Sequence, residues 1–218
     1  LSQINEEQIS SCLFPLGNIT KPEVRKIANE LKLKIASKKD STGVCFIGER
    51  NFREFLNNYL PAKEGNIVDI ETNRILGKHN GVLYYTIGQR KGLGIGGIKN
   101  EEAIGWFVVK KDVKKNILYV AKGDENKLLM SDRCLVKNLN IVGEVTSEFK
   151  SVGAKFRYRQ ADNPVKIRKI DEDTIEVIYE KPVKAVTTGQ AAVFYENDIM
   201  IAGGLIDSVY RNGKRIDI

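Results

Sequence analysis

The hydrophobic positions in the first part of the chain recur with the spacing of an α-helix. Thr20 and Glu23 form a capping-box pattern, and Pro22 falls in the first turn that would follow. The next apolar residues lie three, four and seven positions after the first of them, which predicts a helix with one apolar stripe. They are Val24, Ile27, Ala28 and Leu31.

A second helical stripe precedes Pro61, which would end it. Asn51 and Glu54 are the residues that could cap its start. Between the two predicted helices, residues 33–36 are short and apolar, as a strand would be, and residues 38–43 have the composition of a loop. The stripe itself consists of Phe52, Phe55, Leu56, Tyr59 and Leu60.

Short strand-like runs replace the helical periodicity after Pro61. Turn residues separate these runs, and from about residue 135 the alternation of apolar and polar residues becomes sharper. Residues 171–173 and 196–198 each separate two such runs and predict two β-hairpins. The predicted strands include 66–70, 82–87, 106–109, 117–120, 165–170, 174–180, 191–195 and 199–204.

Several short strands at this spacing predict a small closed or nearly closed β-barrel. The expected fold class is therefore α+β with mainly β content. We expect a helical segment at residues 1–57, a small β-rich central domain at 58–127 and a C-terminal barrel at 128–218.

The charge of the chain is unbalanced, with 35 Lys and Arg residues against 28 Asp and Glu residues and a formal net charge of +7. A basic balance favours a polyanionic partner, nucleic acid first and a membrane surface second. Mild basicity is also common among soluble proteins. The sequence contains neither an apolar run of about 18 residues nor a signal-peptide pattern, so a cytoplasmic location is predicted.

The sequence has only three cysteines and one histidine, which limits the metal and redox chemistry it can support. Cys12, Cys45 and Cys134 are widely spaced and form no CxxC pair, which disfavours a structural zinc site and favours reduced thiols. Cys12 and Cys134 read as structural residues. His79 has no second histidine beside it, so a surface or hydrogen-bonded structural role is favoured over a catalytic one.

Residues 88–97 contain five glycines and satisfy GxGxxG on paper. A dinucleotide fingerprint requires a helix directly afterwards, and residues 98–106 do not read as one. A loop that approaches RNA is the favoured interpretation, with Arg90 and Lys91 as phosphate contacts.

The segment KFRYRQ at residues 155–160 places three cations at a spacing of two. On a strand, Lys155, Arg157 and Arg159 would share one face, and Phe156 and Tyr158 the other. This pattern suits a solvated strand over a barrel core and, equally, a basic face that follows a phosphate backbone, with Tyr158 either in the core or at a base.

Cys45 is the candidate nucleophile. A lone cysteine is usually buried and inert. However, Gly43 permits a tight bend beside the thiol, Lys38, Lys39 and Arg50 supply positive potential, and a helix is predicted to start at Asn51. Each of these features would lower the pKa of the thiol and favour the thiolate.

Five segments together resemble the bacterial tRNA-specific 2-thiouridylase family, in its order and spacing. The resemblance runs from about Ser2 to Asp207. The segments are LFPLGNITKPEVRKIANELKL, KKDSTGVCFIGERNFREFLNNYLPA, YTIGQRKGLGIGG, RYRQ and TTGQAAVFY.

The resemblance implies an enzyme that places sulfur on C2 of the wobble uridine of tRNA. It implies that ATP, with magnesium, adenylates the C2 oxygen, and that a persulfide on Cys45 then delivers sulfur that a relay protein has donated. It also implies tRNA contacts at Arg157, Tyr158, Arg159 and Gln190. Lys38, Lys39, Arg90 and Lys91 are further candidates for phosphate contacts.

The sequence departs from the family pattern at its start. The chain opens at Leu1 without a Met, and the family's ATP loop and first catalytic cysteine, the one that pairs with the persulfide cysteine, have no counterpart. Neither Cys12 nor Cys134 stands at that position. We therefore expect a C-terminal portion of the enzyme that accepts sulfur but does not thiolate tRNA alone. The alternatives are a non-catalytic RNA-binding module and a thiol redox protein without an RNA partner.

Overall fold

A computed structural model describes residues 2–40, 58–60, 62–95, 104–158 and 160–216. The chain divides into two compact units. The helical unit comprises residues 6–61, and the β unit comprises residues 1–5 and 62–218.

The helical unit contains two helices in its described part, α1 (Glu6–Ser10) and α2 (Lys21–Glu30). The predicted capping box opens α2: the Thr20 amide and hydroxyl both donate to Glu23 Oε2 at 2.7 Å. These bonds hold the pKa of Glu23 below its usual value. The helix predicted for residues 20–31 is thus confirmed.

Two other predictions for the helical unit have different outcomes. Residues 33–36 form turns instead of a strand. The second predicted helix lies mostly outside the described residues, and residues 58–60 form a turn and a bend.

The central part of the β unit is a four-stranded sheet in the order β2–β1–β4–β3. Strand β1 runs parallel to β4, and the other neighbours are antiparallel. Residues 82–87, predicted as a strand, instead begin with a 3₁₀ helix at Val82–Tyr84. The strands are β1 (Gly65–Asp69), β2 (Ile75–His79), β3 (Trp106–Asp112) and β4 (Ile117–Lys122).

Six further strands close into an antiparallel barrel in the order β10–β5–β8–β7–β6–β9, and β9 pairs back onto β10. A 3₁₀ helix at Lys127–Leu129 leads into the first of them, and β11 extends the edge beside β10. The strands are β5 (Met130–Ile141), β6 (Lys150–Lys155), β7 (Asn163–Asp171), β8 (Thr174–Lys184), β9 (Ala191–Glu196), β10 (Ile199–Arg211) and β11 (Lys214–Ile216).

The barrel confirms the predicted fold class and both predicted hairpins. Asp171 pairs with Thr174 across the first hairpin, and Glu196 pairs with Ile199 across the second. The inward positions of the strands form one apolar core, in which Phe156 and Phe194 are the largest fully buried side chains. Alternation with a period of two places these side chains on the inner face.

Candidate nucleic-acid interface

The strand predicted for the RYRQ segment ends early. Strand β6 stops at Lys155, and residues 156–158 continue as a bend and a turn. Consequently Phe156 and Tyr158 do not share a face: Phe156 is 1% exposed in the barrel core, whereas the Tyr158 side chain is 92% exposed. An aromatic ring so exposed is a suitable platform for stacking a nucleic-acid base.

Arg157 connects the barrel to the central part of the β unit. Its Nη2 atom donates to the carbonyl oxygen of Ile87 at 2.8 Å and to that of Ala185 at 3.0 Å. Burial lowers the pKa of the guanidinium from its ordinary value, although an arginine remains charged throughout the physiological range. One predicted site residue therefore joins the glycine-rich segment to the backbone just before the TTGQ segment.

Gly88 allows this approach. Its φ of 80° lies in the left-handed region, and a Cβ built on it would lie 2.7 Å from Ala185 Cβ and 3.7 Å from Arg157 Nη2. The backbone of the glycine-rich segment thus packs directly against the barrel, which a larger residue would prevent.

The TTGQ segment belongs to the same contact network. Thr187 Oγ1 donates to the carbonyl oxygen of Ala185 at 3.0 Å, and the Gln190 amide donates to that of Thr187 at 3.3 Å. Three segments that are far apart in the sequence therefore meet. We call residues 87–91, 157–158 and 184–190 the junction.

Two buried polar atoms of predicted site residues have no hydrogen-bond partner within the described structure, Arg157 Nε and Gln190 Oε1. A buried polar group without a partner costs free energy, so most such groups in native proteins are paired. Both atoms belong to residues that were predicted from the sequence to contact tRNA, so the junction is a candidate binding site.

The remaining predicted site residues lie in several places. Arg90 and Lys91 are exposed on the central loop, and Lys38 and Lys39 are exposed in the helical unit. Cys45 and Arg159 lie outside the described residues. The structure thus brings together the segments that carry Arg157, Tyr158, Gln190, Arg90 and Lys91.

The two other cysteines differ from each other. Cys134 is fully buried in the barrel, and burial raises the pKa of its thiol to about 12, so the predicted structural role is confirmed. Cys12, also predicted to be structural, is exposed, and its thiol donates to the Gln8 carbonyl at 3.3 Å. Neither forms a disulfide within the described chain.

His79 is a buried structural residue, as the sequence favoured. The Gly81 amide donates to Nδ1 at 3.0 Å, which leaves the Nε2 proton to donate to the Asn116 carbonyl at 3.2 Å. Burial lowers the pKa of the imidazole. The described residues hold no cluster of His, Cys, Asp and Glu suited to a metal ion, and no described helix is long and apolar enough to cross a membrane.

The described strands define a small closed antiparallel barrel, an architecture whose members include nucleic-acid-binding folds. Three family models match the chain. They describe a tRNA methyl transferase HUP domain at residues 1–49, a tRNA methyl transferase PRC-barrel domain at 53–122 and an aminomethyltransferase β-barrel domain at 131–206.

Curated relatives match the chain along its whole length. The chain is 51% identical over 216 residues to the tRNA-specific 2-thiouridylase MnmA of Mycoplasma capricolum subsp. capricolum, covering 97% of this chain and 56% of that protein. It is 50% identical over 219 residues to the same enzyme of Bacillus cytotoxicus, covering 100% of this chain and 57% of that protein. The chain belongs to the tRNA-specific 2-thiouridylase family and spans somewhat more than half the length of these relatives.

Proposed function

We propose that the protein acts in the 2-thiolation of the wobble uridine of tRNA and that its barrel and central sheet bind the tRNA. The observation that carries this proposal is the junction, where three family segments meet around Arg157. The relatives at about 50% identity are named tRNA-specific 2-thiouridylases, which supports tRNA as the polyanion that the net charge favours.

The proposed tRNA contacts are those at the junction, together with Arg159 and the two lysines of the helical unit. Arg157, Arg90 and Lys91 supply positive charge, and Tyr158 offers a ring to an unstacked base. Anticodon-loop bases are unstacked easily enough to be read in this way. Lys38 and Lys39 would contact tRNA phosphates.

Cys45 is proposed as the sulfur carrier. A thiolate is the nucleophile that accepts sulfur and then holds it as a persulfide, whose terminal sulfur is the atom transferred. We propose that a sulfur-relay protein supplies this sulfur. A tRNA substrate also supports the predicted cytoplasmic location.

ATP with magnesium is proposed as the activating cofactor of the complete reaction, but the described residues do not fit it. Gly88, Gly92 and Gly94 adopt positive φ angles of 80°, 79° and 67°, yet the next described element is strand β3 and not a helix. A phosphate site of this type requires a helix N-terminus. The glycine-rich segment is therefore given no role in ATP activation.

The domain boundaries are proposed as predicted, at residues 1–57, 58–127 and 128–218. The three family models follow one another in the same order, at residues 1–49, 53–122 and 131–206, which supports a division into three segments.

Sulfur uptake tests the role of Cys45. The 218-residue chain is treated with sodium disulfide as a persulfide donor, and its peptides are analysed by mass spectrometry. We expect the peptide with Cys45 to gain one sulfur atom, and Cys45→Ser to abolish this gain. Cys12→Ser is the matched control, because Cys12 is an exposed thiol for which no role in sulfur transfer is predicted. Equal gain on Cys12 and Cys45 would contradict a special role for Cys45.

Binding and turnover test the tRNA function. The chain should bind a tRNA transcript with an affinity that falls steeply with salt, and Arg157→Ala with Arg159→Ala should flatten that salt dependence. With ATP, magnesium and sodium disulfide added, we expect no 2-thiouridine in the digested tRNA. Its appearance would place ATP activation within these 218 residues, and tRNA binding without sulfur uptake would favour the non-catalytic RNA-binding module.

A further inference from the structure

Two cations from separate parts of the β unit lie over the same aromatic ring. Lys184 Nζ, at the end of β8, is 4.6 Å from the centroid of Phe107. Arg90 Cζ, on the central loop, is 6.0 Å from that centroid. One ring is therefore contacted by two positive groups, one from the barrel and one from the central segment.

Like charges brought together repel each other, and an aromatic ring offsets only part of that cost. Both groups keep access to solvent: Arg90 is exposed, and the Lys184 side chain is 36% exposed. An anion bound beside this ring would be attracted by both groups and would offset the repulsion.

Position connects this pair to the junction. Lys184 directly precedes Ala185, whose carbonyl accepts from Arg157, and Arg90 lies two residues after Gly88, which packs on Ala185. The positive charge of the junction therefore continues across Phe107.

A carboxylate lies beside Lys184. Asp124 Oδ2 lies 3.5 Å from Lys184 Nζ, and the Asp124 side chain is 67% exposed. An exposed ion pair of this kind contributes little to stability. Its carboxylate can therefore give way to a phosphate at small cost.

We propose that Lys184 and Arg90 together bind the phosphate backbone of RNA, with Phe107 as the ring that holds them and Asp124 as an internal competitor. This surface rests on the proposed function, because it assigns additional contacts to the same tRNA. Lys184 stood out in no sequence pattern, since a single lysine at a strand end is ordinary.

The test measures affinity of the 218-residue chain for a tRNA transcript at several salt concentrations. Lys184→Gln should weaken binding by roughly three- to tenfold and lower the slope of log affinity against log salt by about 0.7 to 0.9. Asp124→Asn should strengthen binding, because it removes the competing charge. Opposite effects from the two partners of one ion pair would not arise if the pair were only structural.

The matched control is Lys115→Gln. Lys115 pairs with Asp112 at 4.0 Å. Asp112 is the last residue of β3 and lies five residues from Phe107 along that strand, which corresponds to about 16 Å. The control substitution should leave both affinity and slope unchanged, and an equal loss there would mean that general positive charge and not this surface binds the tRNA.

The outcomes separate the two proposals. Binding by the unaltered chain, combined with an unchanged slope in Lys184→Gln, would overturn this surface and leave the tRNA function standing. An absence of binding by the unaltered chain would overturn the tRNA function and this surface with it. Melting temperatures of the variants show whether a loss of affinity reflects misfolding.

Discussion

The β unit and the helical unit bury their apolar side chains to very different extents. Among the described residues of the β unit, the barrel core alone contains 18 buried residues, each 9% exposed or less. In the described part of the helical unit no residue is buried, and Ile27 and Leu31 of the α2 stripe are 44% and 64% exposed. An apolar stripe at helical spacing is typical of a helix that packs on another element.

This difference separates local from tertiary stability. The capping box and the periodic stripe are local features that define α2 without a buried core. The barrel depends instead on contacts between residues that are distant in the sequence, such as those that pair β5 with β10 and β6 with β9. We therefore expect substitutions of similar chemistry to have large effects in one unit and small effects in the other.

The largest expected effect is at the centre of the barrel. Phe194→Ala removes a fully buried ring and should lower the free energy of unfolding by about 3–5 kcal/mol. Ile27→Ala in α2 should change it by less than about 0.5 kcal/mol. Urea titrations followed by the fluorescence of Trp106, the single tryptophan, and by circular dichroism measure both. Equal effects would show that the stripe on α2 is packed as tightly as the barrel.

A smaller effect is expected where the glycine-rich segment meets the barrel. Gly88→Ala forces a left-handed residue and a Cβ at 2.7 Å from Ala185 Cβ, and should destabilise the β unit by roughly 2–3 kcal/mol. Gly94→Ala is the control, because its φ is also positive but its Cβ meets nothing within 4 Å. It should cost only about 1 kcal/mol. If the two variants melted alike, close packing at Gly88 would play no part.

The dependence of stability on pH should also distinguish the units. His79, the only histidine, lies in the β unit, and its folded pKa is lowered by burial. The unfolded chain therefore binds the proton more readily, so the contribution of His79 to stability is complete above its unfolded pKa of about 6.5 and is lost as the pH falls through the folded pKa.

The measurement compares urea unfolding of Trp106 fluorescence between about pH 7.5 and about pH 5.5, where histidine titrates. The unaltered chain should lose more stability on acidification than His79→Gln, whose side chain does not titrate. A variant that lost as much stability as the unaltered chain would show that carboxylates cause the change.

The elements that sequence predicted correctly rest on short-range signals. Thr20 with Glu23 sets the start of α2, and the acidic turns at residues 171–173 and 196–198 set the two hairpins. Such signals work because capping and turn formation involve residues two to four positions apart. Closure of the barrel was predicted only in general terms, because the pairing of β5 with β10 and of β6 with β9 joins residues far apart in the sequence.

The junction was predicted only in part. Arg157, Tyr158 and Gln190 followed from resemblance, but periodicity alone placed Tyr158 in the same environment as Phe156. That prediction failed because alternation holds only while the strand lasts, and β6 ends at Lys155. The pairing of Lys184 with Arg90 over Phe107 could not be predicted, since it requires the spatial register of two separate segments.

The smallest expected effect concerns the start of α2 and tests whether the two units are independent. Thr20→Ala removes the hydroxyl that donates to Glu23 Oε2 and should destabilise α2 by about 1 kcal/mol. Amide hydrogen exchange across residues 21–30 should become faster, while the Trp106 unfolding transition in the β unit stays unchanged. Lys26→Ala, at an exposed position in the same helix, is the control and should leave exchange nearly unaltered. A shift of the Trp106 transition in Thr20→Ala would show that the helical unit and the β unit unfold together, because a local cap can reach the β unit only through shared cooperativity.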